Sequence, residues 1–101
     1  MAVLDTFSLA GRTALVTGAS RGIGRGLAQA LGEAGAQVAL TATTLEAAQA
    51  AADELRVLGL AAHGYELDVT DREQVDDVVA QVGREGGGVD VLVNNAGISI
   101  G

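Results

Sequence analysis

Apolar positions along this chain switch repeatedly between two periodicities. Thr13–Thr17 (TALVT) is a short apolar run ending in glycines, the pattern of a buried strand. From Gly22 to Ala34, apolar Ile23, Leu27, Ala30, Leu31 and Ala34 recur at helical spacing, and Gly35 stands where a helix-ending glycine belongs. Residues 37–41 (QVALT) predict a second strand. Thr43-Thr44-Leu45-Glu46 fits a capping box with Thr43 as N-cap and Glu46 at N3, opening an alanine-rich helix to Leu58 that Gly59 closes. Residues 61–67 predict a third strand. Thr70-Asp71-Arg72-Glu73 is a second capping box. Its helix aligns Val75, Val78, Val79 and Val82 on one face until Gly86-Gly87-Gly88 ends it. Residues 89–94 (VDVLVN) predict a fourth strand.

Strands alternating with helices of about 10 to 15 residues indicate a parallel sheet in a layered α/β sandwich. Right-handed crossovers restrict the connections. No solenoid repeat or low-complexity linker interrupts the pattern, and the glycine triplet reads as a helix stop rather than a domain boundary.

The 101 residues suffice for one domain or part of one, and 49% hydrophobic content excludes intrinsic disorder. Thirteen acids against six arginines leave a net charge of −7. Nucleic acid and anionic membrane surfaces both require a positive footprint, so neither is an expected partner. Cysteine is absent, which removes disulfides, thiolate metal sites and thiol nucleophiles. Lysine is absent too, which removes Schiff-base chemistry. With one histidine and scattered carboxylates, no metal site is expected. The N-terminus lacks a basic region before an apolar stretch, and no apolar run approaches the roughly 20 residues that span a bilayer. The expectation is a cytoplasmic protein.

The first strand-to-helix turn is Thr17-Gly18-Ala19-Ser20-Arg21-Gly22-Ile23-Gly24. Glycines let a ligand approach the backbone, and the following helix offers free N–H groups and its positive dipole end to a pyrophosphate. The spacing Gly18-x-x-x-Gly22-x-Gly24 departs from the generic G-x-G-x-x-G, and such a turn alone also serves as a tight connection with no ligand. Two later features end the third and fourth strands: Asp68-Val69 and Asn94-Asn95-Ala96-Gly97.

With these, TGASRGIG, LDVTD and VDVLVNNAG in order, the chain resembles the N-terminal half of the short-chain dehydrogenase/reductase family from about Phe7 to Gly97. The resemblance implies a partial Rossmann-type three-layer sandwich with strand order 3-2-1-4. It implies that Gly18, Gly22 and Gly24 cradle a pyrophosphate, with Ser20 and Ile23 in the same loop. It gives Asp68 the adenine amino group, with the Val69 backbone beside it. Asn94, Asn95, Ala96 and Gly97 line the adenosine-ribose side and brace the central strand. Within the family, Arg21 with Thr41-Ala42-Thr43 is similar to 3-oxoacyl-acyl-carrier-protein reductases. The segments FSLAGRTALVTGASRGIG and AAHGYELDVTD are similar to gluconate 5-dehydrogenases.

NAD sites place an acid about 20 residues after the glycines to bind the ribose 2′-hydroxyl. Here the second strand ends Leu40-Thr41-Ala42-Thr43-Thr44, with no carboxylate to repel a 2′-phosphate. Arg21 can pair with that phosphate through its guanidinium, and Thr43 can add its hydroxyl or N–H. The expected cofactor is NADP(H) rather than NAD(H). Both residues also have plain readings, Arg21 as a solvated cation and Thr43 as the cap.

The family reacts through Ser and Tyr-x-x-x-Lys, with an Asn after strand four, and Gly101 comes before the matching positions. Tyr65 lacks the paired lysine, Ser99 falls too early, and His63 stands alone. The chain is therefore expected to carry the cofactor half of an active site and not to be catalytic alone. The fourth strand would form an unpaired apolar edge, which tends to recruit another chain. The expected partner is a second copy or a complementary C-terminal half. The competing readings are a non-enzymatic nucleotide-binding module and a remnant without function.

Overall fold

The computed structural model describes residues 8–20 and 22–95. Seven elements alternate: β1 (Thr13–Thr17), α1 (Gly22–Glu33), β2 (Gln37–Ala42), α2 (Leu45–Val57), β3 (Ala62–Glu66), α3 (Arg72–Gly86) and β4 (Val91–Asn94). The strands pair in parallel in the order β3-β2-β1-β4, as expected. Two helices cover one face and one covers the other. Ala14, Val16, Val38, Leu40 and Ala62 pack with Ala28, Ala51, Ala52 and Leu55 of α1 and α2. Leu15, Ala39 and Leu67 pack with Val78 and Val82 of α3, flanked by half-buried Val75 and Val79.

Every residue of β1 is buried, and its two threonines pin it to β4. At the amino end, Thr13 N–H donates to Asp90 Oδ2 (2.9 Å), Thr13 Oγ1 donates to the Gly86 carbonyl (3.0 Å), and Asp90 N–H donates back to the Thr13 carbonyl (2.9 Å). A Cβ on Gly86 would strike the Thr13 side chain, so the end of α3 sits on β1 only because that side chain is missing. Thr17 does the corresponding work at the carboxyl end, inside the site described below.

Three expectations change. The fully buried residues of α1 are Gly24, Ala28 and Gly32; Leu31 packs half-buried against the core as expected, but Ile23 is 61% and Leu27 40% exposed. Small residues one turn apart let α1 lie close on the sheet; Leu60 Cδ1 stands 3.1 Å from where a Cβ of Gly32 would be. Arg25 and Gln29 occupy the flank toward α2, joined to it by the Arg25–Glu54 ion pair (3.0 Å). Helical geometry therefore turns Ile23, Leu27 and Ala30 to the opposite flank, on the β4 side. The caps move by one residue. Thr44, not Thr43, caps α2 and accepts from Ala47 N–H (3.2 Å). Asp71, not Thr70, caps α3 and accepts from Gln74 N–H (3.2 Å). In each case the displaced threonine stands one position too early for its side chain to reach the N3 amide.

The two sheet edges differ. On β3, Arg56 Nε donates to the Ala62 carbonyl (2.8 Å) while Nη1 holds Asp53, so a side chain occupies an outward backbone acceptor. Tyr65 ties β3 to α3 by donating to Glu85 Oε1 (2.5 Å). On β4, Leu92 is 59% exposed.

Partial burial, and secondarily the Glu85 carboxylate, push the Tyr65 phenol up to about 12. Its folded value exceeds its unfolded one, so this contribution to stability is complete below about pH 10 and is lost as pH rises through 12. Tyr65 is the chain's one tyrosine, so ultraviolet phenolate titration reads it alone. The midpoint should fall in Glu85→Gln yet stay above that of free tyrosine, because desolvation is the larger cause. A second test compares two alanines by chemical denaturation. Gly26→Ala, with open space around its Cβ on α1, should stabilise by roughly 0.5–1 kcal/mol. In Gly64→Ala the Cβ would lie 2.5 Å from Ala48 backbone atoms, and the variant should be destabilised by about 1–3 kcal/mol.

Candidate functional site

The carboxyl ends of β1, β2, β3 and β4 bring the predicted residues to one rim of the sheet. Between β1 and α1 the chain turns through Gly18 (φ 61°) and Gly22 (φ 64°), a left-handed backbone region that strains side-chain-bearing residues. A Cβ on Gly22 would meet nothing within 4 Å, so the loop is open on that side. The loop is fixed from below, where Ala19 N–H donates to the Thr41 carbonyl (2.9 Å).

Gly24 differs from the other two glycines. It is buried, and a Cβ there would strike the Gly18 carbonyl and lie 2.7 Å from Asn95 Nδ2. It lets the first turn of α1 press against the loop and against Asn95. Ile23 is exposed at the start of α1, and Ser20 is half-buried in the loop.

Sequence reasoning missed the residue that joins these parts. Thr17 is 6% exposed at the end of β1. Its hydroxyl accepts from Asn95 N–H (3.0 Å) and lies 3.1 Å from Asn94 Oδ1 and 3.4 Å from the Val93 carbonyl, to one of which it donates. Asn95 Nδ2 donates to the Gly18 carbonyl (3.2 Å). One hydroxyl and one amide thus lock the glycine turn to the end of β4. The available signal was a hydroxyl residue closing an otherwise apolar strand directly before a glycine.

Asp68 lies two residues beyond β3, exposed at the entrance to α3. Its Oδ1 accepts from Thr70 N–H (2.9 Å) and Thr70 Oγ1 (2.6 Å), and Gln74 Oε1 accepts from Asp68 N–H. The Thr70 hydroxyl, then its amide, hold the Asp68 carboxyl below its usual value. That tie is complete above the ordinary carboxylate pKa of about 3.9 and lost as pH falls below it. Thr70 and Gln74 are the other residues the sequence did not single out. Val69 is exposed beside Asp68.

Thr43 is exposed after β2, and with the cap taken by Thr44 its hydroxyl is not needed for α2. Ser20 and Thr43 stand at a groove of about 390 Å³ walled by Ala47, Ala50, Ala51 and Glu54 of α2. The one carboxylate there, Glu54, is neutralised by Arg25. Arg21, Ala96 and Gly97 lie outside the described residues. Among the described residues no three His, Asp or Glu side chains gather where a metal ion could be held, and no helix is long and apolar enough to cross a membrane.

A glycine turn opening a helix, with polar groups converging at the carboxyl ends of parallel strands, defines a dinucleotide-binding α/β fold. The chain belongs to the short chain dehydrogenase family, whose model matches residues 12–101. Gluconate 5-dehydrogenase of Gluconobacter oxydans is 48% identical over 94 residues, covering 93% of this chain and 37% of that protein. The 3-oxoacyl-acyl-carrier-protein reductase of Vibrio cholerae is 50% identical over 92 residues, covering 91% and 36%. Both kinds of enzyme suggested by the motifs are thus among its relatives. Among solved structures, a short-chain type dehydrogenase/reductase from Mycobacterium marinum superposes with a TM-score of 0.88 at 49% identity, covering 97% of this chain and 40% of that one. A metagenomic short-chain oxidoreductase in complex with NADP matches with a TM-score of 0.82 at 40% identity, covering 88% and 40%. The chain spans little more than a third of the length of the curated relatives it matches.

The two buried threonines of adjacent strands make a paired test. By register Thr41 neighbours Thr17 on the α3 face, yet its hydroxyl has no partner among the described residues. Thr17→Val should cost about 1–3 kcal/mol by orphaning the Asn95 amide. Thr41→Val removes an unsatisfied hydroxyl and should be neutral or stabilising by up to about 1 kcal/mol. Thermal and urea unfolding of both variants, with Thr17→Ser as the rescue, measures the contrast.

Proposed function

We propose that residues 1–101 form the cofactor-binding half, part of the Rossmann domain, of an NADP(H)-dependent short-chain oxidoreductase that reduces a carbonyl or oxidises the corresponding alcohol. The observation that carries this is the open glycine turn held to β4 by Thr17 and Asn95, a cradle that a Cβ at Gly24 would fill. In this reading Gly18 and Gly22 approach the pyrophosphate, with Ser20 and Ile23 beside it and free N–H groups of α1 facing it. Asp68 keeps Oδ1 on Thr70 and offers Oδ2 to the adenine amino group, with the Val69 backbone alongside. Asn94, Asn95, Ala96 and Gly97 line the ribose side.

The choice of NADP(H) over NAD(H) rests on the rim between Ser20 and Thr43. Among the described residues no free carboxylate stands there, and in this reading Arg21 and Thr43 supply a guanidinium and a hydroxyl for the 2′-phosphate. The NADP complex of a relative of similar fold supports the same choice. When bound, the nucleotide would supply the hydride for carbonyl reduction and accept it in alcohol oxidation. Proton transfer needs the family Ser, Tyr and Lys, and this chain has no lysine, so the 101 residues alone are not catalytic in this reading. A 3-oxoacyl thioester is the favoured substrate class, on the likeness of Arg21 and Thr41-Ala42-Thr43 to 3-oxoacyl-acyl-carrier-protein reductases. The cytoplasm is the expected location. The exposed β4 edge favours one addition to this reading, that the domain joins another chain there.

Calorimetric titration with NADPH and NADH tests the cofactor assignment. NADPH should bind more tightly, and Arg21→Ala should remove most of that preference. Adenosine 2′,5′-bisphosphate should compete with NADPH nearly as well as NADP does, since this chain holds the adenosine end. Equal affinity for NADPH and NADH would overturn the choice of NADP.

A further inference from the structure

We propose that Arg25 is a positioning residue for nucleotide choice: from α1 it holds the Glu54 carboxylate, so that this charge does not oppose a 2′-phosphate in the groove beside Ser20 and Thr43. This rests on the NADP(H) reading and adds to it a residue that does not itself line the groove.

Among the described residues Glu54 is the one carboxylate in the groove wall. The rest of the α2 wall is Ala47, Ala50 and Ala51, methyl groups that offset no charge. Glu54 Oε1 accepts from Arg25 Nε (3.0 Å), and Arg25 Nη1 donates to Gln29 Oε1 (3.0 Å). Gln29 Nε2 donates in turn to Glu33 Oε2 (3.3 Å). Arg25, Gln29 and Glu33 follow one another at four-residue steps, so they form a row along one flank of α1. The row aims the guanidinium at Glu54 before any ligand arrives. The Arg25 side chain is 19% exposed and that of Glu54 63%. The cation is thus the anchored partner and the anion the open one. With Arg25 removed, a bare carboxylate is left facing the groove.

An ion pair with one partner this open adds little to folding, because water screens it and ordering two long side chains costs entropy. Its effect on a ligand is selective. A phosphate monoester carries about −1.5 to −2 charges at pH 7, whereas NADH has a neutral hydroxyl at the same place. A bare Glu54 would therefore repel NADPH and be nearly indifferent to NADH. The groove is open to water, so the repulsion is worth roughly three- to tenfold in affinity rather than orders of magnitude. Glu46 also opens α2 with a negative charge, but it does not line this groove, which leaves the Arg25–Glu54 pair as the local control.

Calorimetric titration with NADPH and with NADH reads the ratio of the two affinities, in which any general loss of folding or of adenosine binding cancels. Arg25→Gln should lower the preference for NADPH by roughly three- to tenfold at low salt. Adding Glu54→Gln to that variant should return the ratio to near its native value, a rescue that a merely structural role for Arg25 would not give. The defect of Arg25→Gln should also shrink between 0.1 and 1 M salt, as the screening length falls from about 10 to about 3 Å. Glu54→Lys, at an exposed position and with Arg25 intact, should raise the preference by roughly threefold or more. Arg84→Gln takes the same charge from the last turn of α3 and should leave the ratio unchanged. An unchanged ratio in Arg25→Gln, a double variant no better than Arg25→Gln, a lower preference in Glu54→Lys, or an equal change in Arg84→Gln would each overturn the proposal. A native chain that prefers NADPH, with an Arg25→Gln variant that keeps the preference, marks failure of this inference alone. Equal native affinities would overturn the NADP(H) reading and this inference together.

Discussion

The missing side chain at Gly24 is the constraint on which the rest of this structure depends. It allows the first turn of α1 to rest on the Gly18 carbonyl and the Asn95 amide. Ala28 and Gly32 continue the close approach along the helix, so α1 lies near enough to the sheet to bury Val16, Val38 and Leu40 with Leu31 as its larger, half-buried contact. A methyl group at the first of these positions would lift the helix from the loop and open the turn that faces a ligand. Packing and ligand access therefore share one cause.

Threonine hydroxyls perform the complementary task at both ends of β1. Thr13 gathers Asp90 and Gly86 at the amino end, and Thr17 gathers Asn94 and Asn95 at the carboxyl end. A strand buried on both faces has no side chain free to reach solvent, so polar anchoring must come from residues that are β-branched and still carry a hydrogen-bonding group. Thr41 shows the other outcome, a buried hydroxyl with no partner among the described residues, beside one that organises a site.

Charge is distributed with similar economy. The chain is acidic, yet among the described residues the rim between Ser20 and Thr43 holds no free carboxylate, because Glu54 is neutralised by Arg25 from α1. Asp68, the acid that does stand at the rim, has one oxygen committed to Thr70. The same separation operates at the sheet edges. β3 carries a guanidinium on its backbone, and β4 presents valine and leucine.

The α/β alternation, the parallel order and the glycine turn could all be read from the sequence, because periodicity and glycine spacing are local properties of a chain. The pairing of α3 with its valine face was equally local, since four valines recur at one helical spacing and nothing competes with them. Where local signals were ambiguous, tertiary contacts decided. Adjacent threonines and a Thr-Asp pair both satisfy a capping pattern, and the chosen cap, Thr44 or Asp71, is the one whose entry angle brings its oxygen to the N3 amide. Hydrophobicity pointed to Ile23 and Leu27 as the buried face of α1, but the distance between helix and sheet selects by size, and small residues win where the backbone approaches closely. Thr17 had no motif to mark it, because its role exists only once β1 and β4, some seventy-seven residues apart in sequence, lie side by side. Composition and pattern thus determined the layers and the place of the site; the fit between layers decided which atoms hold it together.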